Sequence, residues 1–154
     1  MTHYFLDSSA LVKRYVIETG TAWVRSITTP RTGNSVIIAH ITPVEIVSGT
    51  MRRKRDGSIS ARTAHAVRLL VDRHTSREYK VIGLSDLIVQ RAENLLEQHV
   101  LRAYDAVQLA SALESSYRLV AAGLSPLIFV AADHRLLAVA TSEGLTTDDP
   151  NGHP

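Results

Sequence analysis

The chain has 154 residues, of which 45% are hydrophobic and 21% are charged, and its formal net charge is +2. This length and balance are typical of one globular domain with its own core, and they exclude a chain that is mainly disordered. The absence of cysteine excludes a disulfide framework and a cysteine zinc site, and it suits a reducing cytoplasm. No apolar run approaches the ~20 residues of a membrane helix. The N-terminus lacks a signal-peptide pattern, so we expect a cytoplasmic protein without membrane contact.

Short apolar segments alternate with amphipathic ones, which predicts strands alternating with helices. The strand candidates cover 3–6, 36–39, 79–84, 127–131 and 145–147. The helix candidates cover 7–16, 22–27, 42–55, 60–74, 85–99, 104–123 and 133–144. Since several strands are apolar throughout, both faces of the sheet should be covered, which favours an α/β fold with a mostly parallel sheet. We assign 1–147 to the domain and 148–154 to a short polar C-terminal tail.

The helix predicted at 42–55 has the strongest start signal. Thr42 suits the N-cap position, Pro43 suits the first helical position, and Glu45 lies where it would complete a capping box with Thr42. The prediction is therefore that the Glu45 carboxylate bonds locally to the beginning of its own helix.

Four acidic residues occupy comparable places in this pattern. Asp7 follows the first strand, Asp133 follows the strand at 127–131, and Glu45 and Asp105 lie in the first turns of helices. Each acid alone can be explained as a helix cap or as a partner of the helix dipole, and that alternative stays open. Because functional sites in parallel sheets form at the carboxyl ends of strands, we expect Asp7, Glu45 and Asp133 at one edge. Asp105 joins them if its helix packs against that edge.

A cluster of carboxylates favours a metal site. Ionised carboxyl groups repel each other unless a cation lies among them, and hard oxygen ligands select Mg²⁺ or Mn²⁺. Such an ion polarises a phosphoryl oxygen and activates water, as phosphodiester hydrolysis requires, although the geometry leaves other metal-dependent reactions open.

Four sequence blocks carry a resemblance to a known family. LDSSALVKRY, TPVEIVSG, LRAYDAVQLASAL and FVAADHRLLAVATSEGL contain the four acids in order, and they resemble the motif blocks of PIN domains from residue 4 to about 147. The size of the chain resembles the VapC-type toxins of bacterial toxin–antitoxin pairs. The resemblance implies a three-layer α/β/α fold and a Mg²⁺- or Mn²⁺-dependent endoribonuclease that leaves 5′-phosphate and 3′-hydroxyl ends.

The resemblance also assigns roles to residues. Asp7, Glu45, Asp105 and Asp133 would be the catalytic, metal-binding quartet, and Ser9 would order the site. A small VapB-type antitoxin and a homodimer are the partners that the family implies, with RNA as the substrate.

The chain departs from the family pattern in two places. Tyr104 precedes Asp105 where a small residue is common, and a ring there could narrow the cleft. Ala131 precedes Asp133 by two, where a Thr or Ser hydroxyl is frequent, so the expected metal site lacks that oxygen.

Basic residues near the acids are candidate RNA contacts. Lys13 and Arg14 lie two turns beyond Asp7, and Arg102 lies just before Asp105, so we expect these three cations to contact phosphates. The run at 52–55 fits either a solvated helix end or an RNA path. The tyrosines are too scattered in the sequence to predict a platform on which several bases stack.

Two other functions remain to be weighed. A phosphotransfer receiver domain also has an acidic Mg²⁺ pocket, but it needs paired acids after the first strand and a lysine after a late one. This chain has the single Asp7 after its first strand and no lysine at 131–133, which argues against that reading. A non-catalytic PIN-like scaffold that binds RNA or protein would fold in the same way and show no metal-dependent cleavage.

Overall fold

A computed structural model of the chain describes residues 1–153. It contains five strands: β1 His3–Leu6, β2 Ser35–Ala39, β3 Tyr79–Ile82, β4 Ile128–Val130 and β5 Thr146–Asp148. It contains seven α-helices: α1 Ser8–Leu11, α2 Thr21–Thr28, α3 Thr42–Arg55, α4 Ala61–Arg77, α5 Asp86–Gln98, α6 Ala103–Ala121 and α7 His134–Ser142. Short 3-10 turns cover Val12–Arg14, Pro30–Thr32 and Pro150–Gly152.

The strands form one sheet in the order β3-β2-β1-β4-β5, and all four neighbouring pairs are parallel. The predicted α/β class is therefore confirmed. Along the chain, the strands progress outward from β1 to β3 and then return to β4 on the other side of β1. The order thus reverses between β1 and β4, and a crevice at this point is where ligands bind in open parallel sheets.

Two apolar cores lie on the two faces of the sheet, which gives three layers. Phe5 and Ile37 pack on one face against α5, α6 and α7, while Leu6 and Ile38 pack on the other face with α1 to α4. Successive strand residues point to opposite faces, so strands covered on both sides are apolar throughout. This packing is the three-layer α/β/α arrangement of a PIN-like domain.

Four local predictions need correction. The helix predicted at 7–16 is only the four-residue α1 followed by the Val12–Arg14 turn, while α4 continues three residues beyond the predicted end at 74. The predicted strand at 79–84 ends at Ile82. The predicted capping box is wrong, because Thr42 is already helical, Ile41 is the N-cap residue, and no side chain caps α3.

The short polar segment assigned to 148–154 is packed against the domain as far as residue 153. Asp148 ends β5, and the His153 ring stacks on Trp23 with 4.1 Å between ring centroids. The amide oxygen of Asn151 accepts a hydrogen bond from Lys13 at 3.0 Å. Residues 148–153 are therefore held against α2 and the turn after α1.

No helix within residues 1–153 is long and apolar enough to span a membrane.

Candidate active site

The Asp7 carboxylate lies at the carboxyl end of the central strand. Asp7 is the N-cap residue of α1, and its Oδ1 accepts hydrogen bonds from the Ala10 amide at 2.9 Å and from the Ser9 hydroxyl at 2.7 Å. Only 3% of its surface is exposed. Burial raises the pKa of Asp7 to about 7, because desolvation of the charged form outweighs these hydrogen bonds, and Glu45 raises it further. The side chain is a buried carboxyl group without a countercharge.

Ser9 connects the first and the fourth acidic segments. Its hydroxyl donates to Asp7 and accepts a hydrogen bond from the backbone N–H of Ala132 at 2.8 Å. Asp133 follows Ala132 directly and caps α7, accepting from the amides of Arg135 and Leu136. Ser9 thus fixes the loop after β4 against the beginning of α1, across the point where the strand order reverses.

Glu45 is held by another helix rather than by its own. The Gln108 side-chain amide donates to Glu45 Oε2 at 2.6 Å and to the Thr42 hydroxyl at 3.0 Å, while the Thr42 hydroxyl lies 3.1 Å from Gln108 Oε1. Burial raises the pKa of Glu45, with Asp105 adding to the rise, and hydrogen bonds from Gln108 and Ser8 oppose it. The predicted capping box fails for this reason, since Thr42 and Glu45 both bond to Gln108 on α6.

Asp105 lies in the first turn of α6, three residues before Gln108 and on the same side of the helix. It is partly buried, and burial raises its pKa, with the negative charge of Asp133 adding to the effect. Arg102 opposes this rise. The packing of α6 across β2 therefore carries Asp105 to the edge of the sheet where the other acids lie.

The four acids form a line of neighbours. The negative charge of Glu45 raises the pKa of Asp7, that of Asp105 raises the pKa of Glu45, and that of Asp133 raises the pKa of Asp105. Within residues 1–153, no three or more histidine, aspartate or glutamate side chains are close enough together to hold a metal ion by themselves. Across the same residues, none of the four acids forms an ion pair with a basic side chain. The arrangement is an extended acidic edge rather than a closed metal cage.

An open cleft of about 350 Å³ follows this edge. Glu45 and Asp105 line it, together with Arg52, Arg102 and Tyr104. A second cavity of similar size shares Ser8, Glu45, Gly49 and Arg52 with the first, so the depression continues along α3 past the acids. The cleft is therefore lined by two acidic groups and two arginines.

Of the three basic residues predicted to contact RNA, one lies in the cleft and two form ion pairs outside it. Arg102 is exposed and lines the cleft. Lys13 is buried and forms an ion pair with Glu18 at 3.2 Å. Arg14 pairs with Glu78 at 2.6 Å and lies over the Tyr79 ring. Because Tyr79 begins β3, Arg14 lies towards the edge of the sheet opposite to the acids.

Sequence reasoning did not assign Gln108 a role, and it left Arg52 undecided. Gln108 is buried, with only 1% of its surface exposed, and a fully buried amide side chain is unusual without a specific partner. Its position one helical turn after Asp105 is the signal that could have identified it. Arg52 lies seven residues after Glu45, which places both on one side of α3.

The two departures from the family pattern have different surroundings. Tyr104 lies at the wall of the cleft with 58% of its surface exposed. Ala131 is completely buried in the core beside α6 and α7, so it offers no atom to the cleft.

Neither the sequence profiles of known families nor the sequences of characterised proteins match this chain. Solved structures do match its fold. FitAcB from Neisseria gonorrhoeae superimposes with a TM-score of 0.66 at 12% identity, with 96% of this chain and 97% of that chain covered. VapBC2 from Rickettsia felis, bound to a DNA fragment from its promoter, superimposes with a TM-score of 0.64 at 14% identity. The match covers 96% of this chain and 98% of that chain.

VapC20 from Mycobacterium tuberculosis, a toxin that cleaves the sarcin–ricin loop, gives a TM-score of 0.58 at 17% identity, covering 93% of this chain and 96% of that chain. At these identities the likeness concerns the fold. This chain therefore has the PIN-like fold found in solved structures of VapBC and FitAB toxin–antitoxin proteins.

Proposed function

We propose that this chain is a metal-dependent endoribonuclease that hydrolyses RNA phosphodiester bonds to 5′-phosphate and 3′-hydroxyl ends, and that it acts as a toxin neutralised by a VapB-type antitoxin. The observation that carries the proposal is the line of four carboxyl groups without basic partners at the carboxyl edge of the sheet. Ionised carboxylates held this close repel each other and destabilise the fold, and a bound cation would relieve that repulsion.

The donor set fits Mg²⁺ or Mn²⁺. These ions prefer carboxylate and water oxygens, and Mg²⁺ in nucleic-acid enzymes is commonly held by one or two carboxylates together with water and substrate phosphate. The extended arrangement of the acids is therefore compatible with such an ion, although no three of them converge in the described chain. Asp7, Glu45, Asp105 and Asp133 are the residues that would hold it. When bound, the ion supplies Lewis-acid activation of a phosphoryl oxygen and of water.

The protein side chains have separate tasks in this proposal. Asp7 and Asp133 are fixed by backbone amides, and Ser9 keeps their two segments in register. Gln108 orients the Glu45 carboxylate by donating a hydrogen bond to its Oε2. Such fixed groups need little rearrangement when a phosphodiester arrives.

Arg52 and Arg102 are the proposed phosphate contacts. Both line the cleft, and neither forms an ion pair within the described residues. They would place the RNA backbone over the acids without reading its sequence. Arg14 and Lys13 are not part of this proposal, since each already has an acidic partner in the fold.

The test is cleavage of labelled RNA by the purified chain with Mg²⁺, Mn²⁺ or EDTA. Substrates include single-stranded RNA and a sarcin–ricin loop hairpin, because a structure with this fold belongs to a toxin that cleaves that loop. The matched control is Asp7→Asn, which keeps the shape of the side chain. We expect metal-dependent cleavage to 5′-phosphate ends that the control lacks. Failure of the folded wild-type protein on every RNA would contradict the proposal.

A second candidate is a non-catalytic scaffold that binds RNA or protein. It is favoured by the finding that no three acids among residues 1–153 approach closely enough to hold an ion. This alternative predicts RNA binding that EDTA does not alter, and no cleavage in any metal.

The remaining proposals concern partners and location. A homodimer and a VapB-type antitoxin are proposed from the fold shared with VapBC and FitAB complexes. A cytoplasmic location is proposed because the chain has no cysteine and its proposed substrate is cytoplasmic RNA. Co-expression with candidate VapB-type antitoxins, followed by purification of the complex and measurement of its mass, tests both partners.

A further inference from the structure

An apolar hollow of about 200 Å³ lies beside the acidic cleft. It opens at the ends of β2 and β3 and is closed by the first two turns of α6. Its walls include His40, Ile41, Ile82, Leu84 and Tyr104. The hollow therefore belongs to the same edge of the sheet as the acids.

The hollow and the acidic cleft have two walls in common, Ile41 and Tyr104. The Tyr104 side chain is 58% exposed, and in the part of the chain that the structure describes its ring stacks on no other ring. Leu84, on the far wall of the hollow, is 60% exposed. The apolar wall of the hollow lies open directly beside the polar cleft, where a bound ligand would cover it.

The chemistry of the surrounding groups indicates the kind of ligand. The adjoining cleft has two arginines without acidic partners, Arg52 and Arg102, which suit the phosphates of a nucleic-acid backbone. A nucleobase is flat and apolar on its faces, and it stacks on exposed aromatic rings. His40 adds ring nitrogens that can hydrogen-bond to the edge of a base.

We propose that this hollow receives one nucleobase of single-stranded RNA, stacked on Tyr104, while the neighbouring phosphodiester lies against the acidic edge. The inference rests on the proposed ribonuclease function and adds to it a subsite next to the scissile bond. Tyr104, the residue that departs from the family pattern, thereby becomes a determinant of substrate position.

A protein segment is the competing occupant. A helix is about 10 Å wide and binds through several anchors along a groove, so it would also cover the second hollow further along α6. That second hollow is lined by Leu119 and Ala122, and it has Ile82 in common with the first. A substitution there separates the two occupants, because it would disturb a protein interface and leave a nucleobase at Tyr104 untouched.

The experiment measures the binding of fluorescently labelled single-stranded RNA to the full chain with Asp7→Asn, which keeps the RNA intact. Tyr104→Ala, Tyr104→Phe and Tyr117→Ala are compared in this background, and Tyr117 is the matched control because it is an equally exposed tyrosine on α6. We expect Tyr104→Ala to weaken binding between about five- and 150-fold, as loss of one stacked base does. Tyr104→Phe keeps the ring and should bind like the parent, as should Tyr117→Ala.

Scanning the RNA with single abasic nucleotides identifies the base involved. One abasic position should weaken binding to the parent and have no further effect on Tyr104→Ala, because both changes remove the same contact. Equal binding by the parent and Tyr104→Ala would overturn the inference, and so would an abasic effect that is independent of Tyr104.

The mass of each variant in solution supplies the second measurement. A change of oligomeric state in Tyr104→Ala or Ala122→Glu, without a specific effect of Tyr104 on RNA, would show a protein interface and overturn the subsite. RNA cleavage by the wild-type chain together with unchanged binding by Tyr104→Ala would overturn the subsite alone. Absence of any RNA binding by the parent would overturn the proposed function and the subsite together.

Discussion

The buried carboxyl group of Asp7 makes the stability of the metal-free protein depend on pH. The pKa of this group rises from 3.8 in the unfolded chain to about 7 in the folded protein. Between these values the folded protein keeps a proton that the unfolded chain has lost, so raising the pH weakens folding. Above the folded pKa both states are ionised, and the loss is complete.

The size of the effect follows from the pKa difference. Since one pKa unit corresponds to about 1.4 kcal/mol, a rise from 3.8 to about 7 removes about 4 kcal/mol of unfolding free energy. Asp7→Asn removes the titration while an asparagine still serves as an N-cap residue. The variant should therefore gain up to this amount relative to the wild type between pH 4 and pH 8.

The assay is urea unfolding in EDTA at one-unit pH intervals, with the wild type and Asp7→Asn measured side by side. Glu45 and Asp105, whose pKa values are also raised, titrate in both proteins, so the difference between the two curves isolates Asp7. Parallel curves over the whole range would refute the reasoning. With Mn²⁺ at pH 8, the wild type should recover stability through linkage to binding, and the variant should recover less.

Three further predictions concern other polar side chains. Gln108→Leu should lower stability by about 1–3 kcal/mol in urea unfolding, because it leaves buried polar groups without a partner. It should also weaken Mn²⁺ binding in calorimetry, but not in a Glu45→Ala background; equal weakening in both would refute a positioning role. Arg52→Gln and Arg102→Gln should each reduce the salt dependence of single-stranded RNA binding by about 0.7 in the log–log slope, without altering unfolding. Lys13→Met should lower the free energy of unfolding by about 1–3 kcal/mol, because it removes the buried partner of Glu18, and it should leave the salt dependence of RNA binding unchanged.

The architecture was predictable because its signals are local. Strands buried on both faces are apolar along their whole length, and β2 and β4 show this in sequence. Helix starts were also visible where a capping residue stands alone, as Ser60 and Ser85 do before α4 and α5. Since a helix between successive strands makes them parallel, the fold class followed from these elements without knowledge of any distant contact.

The capping-box prediction failed because it depends on a contact between distant parts of the chain. The Thr42 hydroxyl bonds to the buried Gln108 amide, 66 residues away in sequence, and therefore does not form the capping box. The ion pairs of Lys13 with Glu18 and of Arg14 with Glu78 were also not predicted, while the role of these two cations as RNA contacts stays a prediction. A local sequence pattern shows which hydrogen-bond partners are available within one helix. It does not show a partner that tertiary packing brings from another helix.

The distribution of the basic side chains separates structural from functional charge. Lys13 is buried, Arg14 is partly buried, and each is paired with a glutamate, so their charges are neutralised within the fold. Arg52 and Arg102 lie in the same cleft as Glu45 without pairing with it, although an ion pair there would relieve the raised pKa of that carboxyl group. Arginines that leave nearby acids unpaired keep both charges available to a ligand, and the complement of such a site is a cation bridging to a polyanion. That balance is what the proposed divalent metal and RNA phosphodiester would supply together.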